Sequence, residues 1–222
     1  MVLPLRDSVR THKTPWVTYA LIATNLAVFA AEVAGGPAVY RLLSMLAVIP
    51  VRILNPHVWI LTFGWPLVTL LTSTFLHGSW THVIGNMLYL WVFGDNIEDR
   101  LGRVRFFLFY VLCGVLANVA HVLANPTSRV PTIGASGAVA GVLGAYILSY
   151  PRARVLTLVP VGLIVPAFRV PAWAYLGLWF VLQLVSGLAP IWAQELTQTV
   201  AFWAHISGFL TGIALVRLLS GR

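Results

Sequence analysis

The chain has 222 residues, of which 59% are hydrophobic and only 9% charged, with a mean hydropathy of +0.87. So few charges cannot cover a soluble domain of this size, which excludes that class and leaves a multi-pass membrane protein. The formal charge of +8 comes from basic residues scattered in ones to threes between apolar runs, a pattern that suits loops facing anionic lipid and argues against a nucleic-acid partner.

Residues 1–15, "MVLPLRDSVRTHKTP", form a basic segment that leads straight into the apolar run 16–34. That run is too long for the apolar part of a signal peptide and reads as a retained first span. Next comes "VWILTFGWPLVTLLTSTFL" (58–76), which has the length to span but is broken by Gly64-Trp65-Pro66. Further spans are predicted over 80–97, 104–124, 134–150, 171–189 and 201–219. Between the fourth and fifth of the six, "VLTLVPVGLIVPAF" (155–168) is apolar but short, and holds Pro160 and Pro166. Cys113 is the single cysteine and can form no internal disulfide.

Charge asymmetry decides between six spans and seven. With six and an internal N-terminus, the inside holds Arg6, Arg10, Lys13, Arg100, Arg103, Arg105, Arg152, Arg154, Arg169, Arg217 and Arg222. Only Arg41, Arg52 and Arg129 fall outside. A seventh span at 58–76 would move the 100–105 and 152–169 clusters outside, against the positive-inside rule. The segment is therefore expected to be part of a long interfacial or re-entrant loop between spans one and two, covered by protein. The expected fold is an all-α bundle of six transmembrane helices over 16–219. It follows a cytoplasmic segment 1–15, with both termini cytoplasmic in a cell membrane.

The polar residues fall at one depth. Ser136 lies in the first turn of span four, within "TIGASGAVAG", and His205 in the second turn of span six, within "AFWAHISGFLTG". "HGSWTHVIGNM" places His77 just before span two, with His82 and Asn86 on it, four apart and on one face. All three spans start outside, so at about 1.5 Å per residue these groups share an outer-leaflet depth. A serine hydroxyl becomes nucleophilic when an adjacent base takes its proton, and neutral histidine is the usual base. Gly134, Gly137, Gly141 and Gly144 on one helix, with Gly208 and Gly212 on the other, would let the backbones approach. Asn86, His82 and the Ser136 N–H at a helix N-terminus could supply donors to an oxyanion.

No acid is placed to complete a triad. Asp95, Glu98 and Asp99 lie near the opposite end of span two, roughly 15 Å or more below His82 by helix rise. Glu32 and Glu195 sit at outer helix ends or loops, and Glu98 is expected to cap a helix or to pair with nearby arginines. His12, His57 and His121 lie at ends or in loops and receive no role. A metal site on His77 and His82 is disfavoured by their spacing of five and the lack of an H-E-x-x-H motif. Each polar residue alone has a packing explanation, yet all of those would have to coincide at one depth.

"HGSWTHVIGNM", "GASG" and "AHISGFLTG", in that order on the second, fourth and sixth spans, resemble the rhomboid intramembrane serine proteases. The resemblance implies that Ser136 is the nucleophile, His205 its base, His82 and Asn86 oxyanion donors, and His77 a structural support. It also implies a structural role for Glu98 in "GDNIEDRLG". Many members carry Trp-Arg where this chain has Val68-Thr69, and some have an aromatic that packs on the histidine where this chain has Ala140.

The expected activity is an endopeptidase that cuts a membrane-spanning helix near the outer face, with no cofactor. Its expected partners are the lipid bilayer and proteins with transmembrane helices. The alternative within the family is a silent relative that binds such helices, which a missing serine or histidine would have signalled. A small transporter would want ionisable groups near the midplane or broken helices in paired halves, and the sequence has neither.

Overall fold

The computed structural model describes residues 3–36, 39, 43, 45–159, 166–193 and 201–220, with backbone alone over 190–193. Arg41, Pro160, Glu195 and Arg222 lie outside the described residues. Among the described residues, helices lie over the runs expected for them: α1 (Trp16–Ala34), α5 (Trp80–Leu101), α6 (Arg103–Ala124), α7 (Ser136–Ser149), α8 (Ala172–Ala193) and α9 (Phe202–Leu219). Four of them, α1, α6, α8 and α9, are long and apolar enough to cross a membrane, so the chain is a multi-pass membrane protein. Their outer faces carry exposed Trp16, Leu112, Leu116, Trp173, Leu178 and Val185, as lipid contact requires.

The segment 58–76 is not a continuous helix. The short helix α2 (Pro50–Ile53) precedes it, and the segment itself falls on α3 (Pro56–Leu61), α4 (Trp65–Thr72) and a 3₁₀ turn at Ser73–Phe75. The break falls at Phe63 (φ 50°) and Gly64 (φ 77°), both in the left-handed region, with Pro66 in the first turn of α4. None of these pieces is long enough to cross a bilayer. Asn118 on α6 stitches the segment to the bundle, donating through Nδ2 to the Leu70 carbonyl at 2.8 Å and to Ser73 Oγ at 3.0 Å.

The core is built around α7, on which every residue from Gly137 to Tyr146 is buried. Small residues let α9 and α6 close on it. A Cβ on Gly208 would run into the carbonyl oxygen of Gly137, and one on Gly212 into that of Gly141. On the α6 side, a Cβ on Gly137 would lie 2.6 Å from the Ala117 Cβ. This is backbone-to-backbone packing, which supplies dispersion contact where lipid offers no hydrophobic driving force.

An all-α fold does not account for residues 154–158 and 167–171. A three-stranded antiparallel sheet forms instead, in the order β1 (Leu3–Arg6), β2 (Arg154–Leu158), β3 (Ala167–Pro171). Along β2, Val155 and Thr157 turn inward and are buried while Arg154 is exposed, the period of two of a half-buried strand. The N-terminal segment is thus part of the same body. Asp7 follows β1 and accepts hydrogen bonds from Tyr146 Oη on α7 and from Asn96 Nδ2 on α5. Burial raises its carboxyl above the ordinary value.

Glu98 caps a helix, and that helix is α1. Its carboxylate, 3% exposed, accepts from the backbone N–H groups of Val17 (3.0 Å) and Thr18 (2.7 Å) and from Thr18 Oγ (2.8 Å). Pro15, at the N-cap of α1, has no side-chain donor or acceptor to offer, so Glu98 supplies both the cap and the negative charge a helix N-terminus favours. Glu98→Ala would strand these buried donors and is expected to cost about 2–4 kcal/mol. Glu98→Gln, which keeps an acceptor, should cost less. Thermal melts in one detergent measure both, and an unchanged Tm for Glu98→Ala would contradict the cap.

Candidate active site

Ser136 is the first residue of α7, so its backbone N–H has no partner within the helix. The chain reaches it through Gly134, whose φ of +129° disfavours a side chain. Gly134 therefore lies ahead of the helix and is no part of the small-residue packing face expected of it. A Cβ there would sit 2.7 Å from His82 Nε2 and 3.6 Å from Ser136 Oγ, so these two side chains flank the same glycine.

The close approach of α7 and α9 brings Ser136 to His205, with His205 Nε2 and Ser136 Oγ 2.8 Å apart. On the far side of the ring, His205 Nδ1 lies 2.8 Å from Gln183 Oε1 of α8. Trp179 lies alongside the imidazole at a centroid distance of 6.1 Å, and Phe202 meets it edge-on at 6.3 Å. These groups surround His205 where Ala140 provides no aromatic ring.

The third helix is α5. Ser79 caps it, accepting from the His82 backbone N–H at 3.2 Å. Asn86 is buried and donates through Nδ2 to His77 Nε2 at 3.1 Å. The same Nδ2 carries a second hydrogen that can serve another acceptor. His77, 2% exposed, is held by Glu32, which accepts its backbone N–H at 3.2 Å, and by the edge of the His82 ring at 5.1 Å. Burial, reinforced by neighbouring His82, pushes the His77 imidazole down to about 4, so it stays neutral at ordinary pH.

Ser136, His205, His82, Asn86 and Gln183 all line one cavity of about 1320 Å³. Among the described residues, no carboxylate lines it. His121, given no role from sequence, borders the same cavity and pairs through Nε2 with Thr132 Oγ at 3.0 Å, tethering the loop between α6 and α7. Gln183 also escaped the sequence reading. Its signal was one amide within the apolar run "WFVLQLVSG", where an unpaired polar group is costly and implies a partner.

Residues 64–222 match the family model described as Rhomboid domain. The chain belongs to the rhomboid family. It is 35% identical over 153 residues to Rhomboid-like protein 11, chloroplastic, of Arabidopsis thaliana, covering 67% of this chain and 51% of that protein. Rhomboid protein 1, mitochondrial, of Saccharomyces cerevisiae is 29% identical over 66% of this chain and 40% of its own length. The human presenilin-associated rhomboid-like protein, mitochondrial, is 32% identical over 65% and 36% respectively. The alignments thus span about half or less of each of these relatives. Within the rhomboid chain, the three motifs that carried the resemblance hold every cavity-lining residue assigned a role from sequence, while Gln183 lies outside them.

Proposed function

We propose that this rhomboid is an intramembrane serine endopeptidase that hydrolyses a peptide bond in the transmembrane helix of another membrane protein. The observation that carries the proposal is the 2.8 Å pairing of Ser136 Oγ with His205 Nε2 inside a cavity also lined by Asn86 and His82. In this reading Ser136 Oγ attacks the scissile carbonyl carbon while its proton passes to His205 Nε2. The carbonyl oxygen gains negative charge and is met by Asn86 Nδ2, His82 and the Ser136 N–H. The C–N bond then breaks, and His205 returns the proton to the departing amine. Water adds to the acyl-serine with His205 again as base, releasing the carboxylate product and restoring the Ser136 hydroxyl.

The placement in the membrane follows from α1, α5, α6, α7, α8 and α9 as six spans, with α2–α4 lying at the outer interface. Eleven of the fourteen basic residues then fall on one side, which we assign as cytoplasmic together with both termini, in a cell membrane. The cavity faces the other side, where water for deacylation is available. A substrate helix has its amides hydrogen-bonded, so cleavage should favour helices weakened near that end by Gly or Pro.

The test incubates the purified protein in detergent with a panel of single-span helices and maps any cut by mass spectrometry. A fluorophosphonate should label Ser136, and chelators should leave activity intact. Loss of cleavage on chelation, restored by zinc, would overturn the serine assignment.

A further inference from the structure

An imidazole can act as a base toward Ser136 only in one of its two neutral forms. Nε2 must carry the lone pair, so the ring proton must reside on Nδ1. In serine hydrolases of the triad type a buried carboxylate enforces this choice, holding the ring by its N–H. Among the described residues, no carboxylate lines this cavity. The atom facing Nδ1 is instead Oε1 of Gln183, at 2.8 Å, and on the opposite side of the ring Ser136 Oγ faces Nε2, also at 2.8 Å. An amide oxygen has no hydrogen to give. The proton in the first contact therefore belongs to Nδ1, and the lone pair in the second belongs to Nε2.

We propose that Gln183 is a positioning residue that fixes His205 in the Nδ1–H form and aims its Nε2 at Ser136; this rests on the serine protease reading above. A neutral acceptor suits a bilayer, because a carboxylate in the same place would carry a desolvation cost that an amide avoids. It also helps when charge appears. As His205 takes the Ser136 proton, its Nδ1–H becomes a charged donor, and bonds of that kind are shorter and about twice as strong as neutral ones. The gain is greatest in the transition state, so Gln183 should act on kcat and leave KM nearly alone.

Gln183 stands on α8, whereas the two groups it serves stand on α7 and α9. Trp179, one turn earlier on α8, lies beside the same imidazole. Removing α8 from its seat would therefore release His205 from both contacts, so the competence of the base depends on a helix that carries neither member of the pair.

Two substitutions separate an acceptor from a spacer. Gln183→Met keeps the length and removes the acceptor. Gln183→Glu keeps an acceptor and, once ionised, cannot donate. Gln183→Met is expected to lower kcat by about 10- to 100-fold, the range seen when a partner that fixes the tautomer of a metal-ligating histidine is lost, with KM within about threefold. Gln183→Glu should stay within about tenfold of wild type. The readout independent of cleavage is the ¹⁵N spectrum of histidine-labelled protein in micelles, with His205 assigned by its loss in His205→Ala. Wild type and Gln183→Glu should show a protonated Nδ1 and a bare Nε2, and Gln183→Met a mixture of both forms. Thermal melts check that each variant folds. Wild-type kcat together with an unchanged Nδ1–H signal in Gln183→Met would overturn the assignment. So would a Gln183→Glu variant that stays as slow as Gln183→Met as pH is raised to ionise the carboxyl, since the amide would then be acting as a donor. If the wild type cuts no helix yet the ¹⁵N spectra change as stated, the tautomer role stands and the protease reading falls.

Discussion

Ser136→Ala is expected to remove measurable cleavage, a loss on the order of 10⁴-fold or more, while the protein still folds. The reaction would lose the atom that forms the acyl intermediate. The fold would lose little, because position 136 opens α7 and its neighbours Ala135, Gly137 and Ala138 are already small. His205→Ala should be as inactive and should also lose fluorophosphonate labelling, since the hydroxyl then lacks the group that takes its proton. The double variant should be no slower than either single one, because two residues that act as a unit do not contribute additively. A time course of all three on one cleavable helix, with melts in the same detergent, measures these effects. Folded Ser136→Ala that cuts as fast as wild type would sink the serine mechanism and leave "TIGASGAVAG" as a packing face.

The meeting of Ser136 and His205 was legible in the sequence because it depends on two local patterns. Small residues recur along 137–144 and at Gly208 and Gly212, and in the fold those positions are where the backbones of α7 and α9 touch. Helix limits were legible for a similar reason: apolar runs end where glycine or charge interrupts them. The helix predicted over 80–97 runs on to Leu101, because Glu98 turns inward to cap α1 and Gly102, at φ 78°, stops the helix. The helix predicted over 134–150 begins at Ser136 and not at 134, because Gly134 has no helical backbone conformation. The sheet was not legible. Its first strand pairs Leu3 with Leu158, and nothing local in either short stretch names so distant a partner. Gln183 belongs to the same class. An amide inside an apolar run announces that it has a partner, but its partner lies on another helix, at His205.

Asn86 sits where these two kinds of information meet. Its Nδ2 donates to His77 Nε2 at 3.1 Å, and its side chain lines the cavity beside Ser136. The first contact is structural, and the second would place a donor on the developing oxyanion. Asn86→Ala removes both, so its effect must be divided. The oxyanion part should appear in kcat, as a loss of about 10²–10³, because the donor meets charge that exists only in the transition state. KM should change little and the scissile bond should stay the same, since His82 and the Ser136 N–H remain. The structural part should appear as a lower Tm, because His77 is left with a buried ring nitrogen and no donor. His77→Leu provides the comparison: it breaks the same pair from the other side while leaving the Asn86 amide in the cavity. It should lower Tm by a similar amount and cost less than about tenfold in kcat. Equal kcat losses in the two variants would assign Asn86 to scaffolding alone. A folded Asn86→Ala within a few-fold of wild-type kcat would remove it from the oxyanion set, leaving His82 and the first N–H of α7 to carry the charge.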